Sequence, residues 1–134
     1  MTRDVRRTQR VAAVLGLMEQ RARVELETAN AKLADLQTAQ DDILAVLANG
    51  GVFSGLFDDV FATRLCSTSA RLQQQQIASA ATLATWRQRH QRTLAAARNH
   101  DVARMKAAVA IEQRELNDLL EQIQNANVQG PCKS

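Results

Sequence analysis

The chain has 134 residues and a formal net charge of +3; 46% of its residues are hydrophobic but only 3% are aromatic, with no tyrosine, one tryptophan and one proline. Such a supply excludes a thick globular core, which takes much of its buried area from large side chains, and suits one domain built as a long alanine–leucine seam. The mild positive balance is carried mostly by arginine, since Lys32, Lys106 and Lys133 are the only lysines; it permits acidic partners without demanding them and reads first as a solvated, mixed-charge helical surface.

The first predicted element is a helix over about residues 4–48. Around its start, Arg3, Arg6, Arg7 and Arg10 fall at the i, i+3, i+4, i+7 spacing of one helix face. An acidic protein surface is a fitting partner for that group, and a frayed, solvated end is the plainer reading. Next comes an apolar spine: Val11, Leu15, Met18, Ala22, Leu26, Ala29, Leu33, Leu36, Gln40, Ile43 and Leu47. Its steps alternate between three and four residues, with one extra four-residue step around Ala22. A stripe of this kind holds one face against a partner helix over its whole length.

Asn49-Gly50-Gly51 closes that helix, because glycine takes the left-handed conformation that stops one. Ser54 is a fitting N-cap for the next, with Asp58 and Asp59 placed in its first turn to favour the helix dipole. A connection over about 49–56 is short enough to turn the chain back on itself. The three phenylalanines, Phe53, Phe57 and Phe61, gather here beside Ile43 and Leu47. They plug the end of a hairpin, dock a partner, or do both.

The second predicted helix covers about 56–127, a stretch with neither glycine nor proline. At ~1.5 Å per residue such a window spans roughly 105 Å. Leu83, Trp86, His90, Leu94 and Ala97 form its stripe, followed after a slip of phase near Asp101 by Val102, Met105, Val109, Glu112, Leu116, Leu119 and Ile123. The run from Arg71 to Ser79, with four consecutive glutamines, offers little to bury and is expected to be helical but loosely packed. Residues 128–134, with Gly130-Pro131, form an expected disordered tail. The expected fold is therefore all-α: residues 1–127 as a single antiparallel coiled-coil hairpin of two long helices joined by a short glycine-rich turn, the second helix longer. Because the second helix outruns the first by about two dozen residues, the stripe ending at Ile123 lacks a full partner within the chain, and a helix with an unpartnered apolar face is one waiting for another.

Chemistry is scarce. Cys66 and Cys132 stand far apart without metal-ligand spacing, and Cys66, beside Leu65, reads as a small buried hydrophobe. His90 and His100 are ten positions apart, ~15 Å along a straight helix, so they do not act together. His90 reads as a packing residue. No phosphate-binding glycine loop occurs. Trp86 with Arg87, Arg89 and Arg92 mixes an aromatic with basic residues, but the arginines point in different directions and the indole falls on the seam. No catalytic, cofactor or metal site is assigned, and the expectation is a protein that is not an enzyme. Neither a secretory signal nor a stretch of ~20 apolar residues is seen, so a cytoplasmic location is expected.

The layout resembles the FliJ/YscO-type central-stalk proteins of flagellar and injectisome type III export. The resemblance rests on length, on the turn near Gly50-Gly51, on the run Leu83-Ala84-Thr85-Trp86-Arg87 through Arg92 and Leu94, and on Glu112-Gln113-Arg114-Glu115-Leu116-Asn117-Asp118. It implies a cytoplasmic coupling protein, peripheral at the inner-membrane export apparatus, that sits as an axle in a hexameric export ATPase. The ring contact would fall near Arg3, Arg6, Arg7 and Arg10 and near Leu116, Leu119 and Ile123. The export-gate contact would fall near Ile43, Leu47, Phe53, Phe57 and Phe61. Two other readings stay open at this stage: a homodimeric coiled-coil scaffold or adaptor, and a basic helical protein associated with nucleic acid, whose binding would weaken steeply with salt.

Overall fold

Two helices of unequal length pack against each other in the computed structural model, which describes residues 2–49 and 54–129, with side chains from 58 to 128 in the second segment. Helix α1 is Arg3–Asn49, of 47 residues, and helix α2 is Ser54–Gln129, of 76 residues. The all-α hairpin is thus as expected. The glycine turn, Phe53, the Phe57 side chain and residues 130–134 with Cys132 lie outside the described residues. Because α2 opens at Ser54, Asp58 and Asp59 fall in its second turn, not its first. Val128 and Gln129, expected in the tail, are helical.

Helix α1 is opened by Thr2. The Val5 amide donates to Thr2 Oγ1 at 3.3 Å and the Arg6 amide to the Thr2 carbonyl at 3.2 Å. The first satisfies one of the amides a helix start leaves without partners, the second is the first turn's own bond, and Asp4 adds a carboxylate where the helix dipole favours one.

The chain divides into two compact units, Gly16–Gln91 and Met1–Leu15 with Arg92–Ser134. In the first, the inward positions of α1 run Glu19, Ala22, Leu26, Ala29, Leu33, Leu36, Gln40, Ile43 and Leu47. Facing them on α2 are Phe61, Leu65, Leu72, Gln75, Ser79, Leu83, Trp86 and His90. Both sets keep near-regular three-four steps, the mark of a coiled-coil seam. The helices run antiparallel: Gln40 bonds Ser69 at 3.1 Å, Ala29 meets Gln75 and Ser79, and Glu19 meets His90.

The seam is thin and partly polar. Ala22 and Ala29 are its buried aliphatic residues, and Ser79 is buried with them. Small side chains let the two backbones approach so closely that both the Gln75 amide and the Ser79 hydroxyl donate to the Ala29 carbonyl, at 3.1 and 3.3 Å. The glutamine run expected to pack loosely is therefore a point of close approach: Gln75 reaches the opposite backbone because Ala29 leaves room for it. Cys66, expected to be buried, is exposed, since one step past Leu65 turns it about 100° off the seam.

In the second unit, Val5, Thr8, Ala12 and Leu15 of α1 face Thr93, Ala96, His100, Ala103 and Ala107 of α2. Thr8 Oγ1 bonds His100 Nδ1 at 3.0 Å, and the Thr93 hydroxyl donates to the Leu15 carbonyl at 3.2 Å. This register brings the start of α1 level with Lys106 and Ala107 of α2, and every residue from 108 to 128 is exposed.

Candidate partner-binding surfaces

The exposed part of α2 carries most of its large apolar residues on a different face from the one α1 covers. With about 100° of turn per residue, Val102, Met105 and Val109 stand roughly 160° around the helix from His100, Ala103 and Ala107. Continuing the covered face in the same rhythm gives Ala110, Arg114, Asn117 and Glu121, with Ile111 beside Ala110 as its one large apolar residue. Continuing the other gives Glu112, Leu116, Leu119 and Ile123. Leu116, Leu119 and Ile123 are 55%, 54% and 56% exposed.

The stripe expected along α2 leaves the seam between His90 and Leu94, before the slip of phase near Asp101. Leu94, Ala97, Val102 and Met105 are exposed, whereas Thr93, Ala96, His100 and Ala103 line the seam. The same one-residue displacement occurs in α1. Val11 and Met18, expected on the spine, are exposed, and the inward positions are Ala12 and Glu19, so the extra step at Ala22 is absent.

Charge differs along the second unit. Over residues 3–15 and 92–107 arginine and lysine outnumber carboxylates eight to two; over 108–128 Glu112, Glu115, Asp118 and Glu121 stand against Arg114 alone. Arg3, Arg6, Arg7 and Arg10 are exposed and, with Val11, border one surface groove. None of the four makes an ion pair with a described residue. Arg7 also borders an open cleft of about 400 Å³, with Arg92 on its far side and Val11, Leu15, Ala95 and Ala96 as its apolar lining.

At the other end of α1, Ile43 and Leu47 are half-buried seam residues, as is Phe61 of α2. Their first task is to close the hairpin. The remaining candidates there, Phe53 and Phe57, fall outside the described side chains.

One polar layer escaped the sequence reading. Glu19 Oε1 pairs with His90 Nδ1 at 2.5 Å, and the His90 ring stacks on Trp86 with centroids 5.2 Å apart and planes 13° from parallel. Trp86 Nε1 is buried and has no hydrogen-bond partner among the described residues. The layer fixes which residues face each other, as a polar pair in a coiled-coil seam does. It holds no nucleophile. The signal for it was the regular step from Leu15 to Ala22, which passes through Glu19 and not Met18.

Among the described residues no group of three or more histidine, cysteine or carboxylate side chains is placed to hold a metal ion, and no helix is long and apolar enough to cross a membrane. Fold and surfaces together define an antiparallel helical hairpin with an unpaired amphipathic extension. Comparison with known proteins adds no family: no protein-family model, curated protein or solved structure matches the chain.

Proposed function

We propose that the chain is a non-enzymatic coupling stalk of a type III protein export apparatus, engaging the export ATPase ring with its terminal unit and the export gate with its turn end. In this reading the protein works at the inner-membrane export machinery as a peripheral component. The observation that carries the proposal is the extension of α2, residues 108–128, exposed on every side and striped with Leu116, Leu119 and Ile123. A lone amphipathic helix gains little from standing in water, so its stripe is suited to a partner. The arginines at the start of α1 add a positively charged collar next to it, which suits an acidic rim.

The test is a titration of the full chain into a purified hexameric export ATPase. The expected result is faster ATP hydrolysis and co-elution with the hexamer, both lost in the Leu116→Glu, Leu119→Glu double variant. Unchanged hydrolysis together with separate elution would overturn the assignment.

A further inference from the structure

We infer that the stripe on the α2 extension docks a basic amphipathic helix of another protein, recognised by an arginine or lysine that reaches into the seam opposite Glu112. This rests on the reading of the extension as a docking helix, and not on which protein supplies the partner.

The argument begins with where Glu112 sits. Val109, Glu112, Leu116, Leu119 and Ile123 follow one another in steps of three and four, so Glu112 occupies a core position of the stripe and not its rim. It is exposed and makes no ion pair with a described residue. Any helix that covers the stripe removes water from that carboxylate, and an unpaired carboxylate taken out of water is costly unless a cation meets it.

The same stripe of a second copy does not supply one. Parallel, in-register pairing places Glu112 against the other copy's Glu112. Antiparallel pairing sets it against the alternate core positions, and Val102, Val109, Leu116 and Ile123 are all aliphatic. Pairing of two such stripes thus leaves the carboxylate beside like charge or hydrocarbon in every register. A polar residue at one core position is a known way for a coiled coil to select its partner. The charges around the stripe point the same way: Glu115, Asp118 and Glu121 outnumber Arg114, so lysine or arginine flanks on the incoming helix are favoured. The face is also sterically free, because α1 packs on the far side of α2 in this unit.

The experiment uses the full chain and synthetic 28-residue helical peptides with an isoleucine–leucine heptad seam. Lysine flanks keep the peptides from pairing with themselves. The probes differ only at the core residue that meets Glu112, which is arginine, leucine or glutamate. The arginine peptide is expected to bind about tenfold more tightly than the leucine peptide, with the glutamate peptide weakest. In Glu112→Leu the arginine preference is expected to vanish, and that variant is expected to self-associate by light scattering while the parent chain stays monomeric. Equal binding of all three peptides, or a parent chain already dimeric through this stripe, would overturn the inference. The two proposals fail separately. ATPase stimulation without an arginine preference removes this inference alone, and an arginine preference without stimulation removes the export assignment alone.

Discussion

The stretch of α2 facing α1 within Gly16–Gln91 and the extension over 108–128 distribute apolar bulk in opposite ways. The covered seam relies on Ala22, Ala29, Ser79, Gln75 and the Glu19–His90 pair, with leucines only half buried. The extension displays Leu116, Leu119, Leu120 and Ile123 to solvent. Fully burying a leucine or isoleucine stabilises by about 1.5–3 kcal/mol, far more than an alanine offers. The residues with most to gain from burial are therefore those the chain leaves uncovered. Intramolecular pairing within Gly16–Gln91 combines half-buried leucines with close approach of small side chains and cross-helix hydrogen bonds, whereas the aliphatic side chains of the extension stay exposed.

Three variants sharpen that contrast. The largest effect is expected for Trp86→Ala, which removes the largest ring among the described seam residues. Because the indole is half-buried, a loss of about 2 kcal/mol in urea-unfolding stability is expected, below the 3–5 kcal/mol of a fully enclosed ring. A loss under half that size would mean the ring does not hold the seam. A smaller change of opposite sign is expected for Gly16→Ala. Gly16 lies inside α1 with no atom within 4 Å of an added methyl, so removing its backbone freedom should stabilise by about 0.5–1 kcal/mol and raise the melting temperature. A fall in melting temperature would show a packing role that the geometry does not indicate. The smallest effect is expected for the Leu116→Glu, Leu119→Glu pair, whose stability should stay within about ±0.5 kcal/mol of the parent. A large destabilisation would mean the extension is packed within the chain after all.

Much of the architecture was legible beforehand. The two helices, their unequal lengths and the overrun of α2 follow from the glycine cluster and from the long stretch without glycine or proline. What misled was the choice of face. A search for the most apolar residue in each turn selects Val11 and Met18 over Ala12 and Glu19, and Leu94 and Val102 over Thr93 and Ala103. The seam is built from small and polar residues, so its own signal is weaker than that of the outward stripe lying a residue or two away. The polar layer was hidden for the same reason: Glu19 carries a charge and lies next to an apolar methionine. Of the candidate site, Leu116, Leu119 and Ile123 lie on the free face, and Arg3, Arg6, Arg7 and Arg10 are exposed. Ile43, Leu47 and Phe61 instead belong to the hairpin seam, because inward position and large apolar surface coincide at that end.

The central claim, that α1 leaves the end of α2 uncovered, is tested most directly by amide hydrogen exchange on the isolated chain. Amides over 110–126 are expected to exchange on the order of tenfold or more faster than those over 93–104, since an uncovered helix opens locally without breaking tertiary contacts. Equal protection of the two stretches would contradict the account.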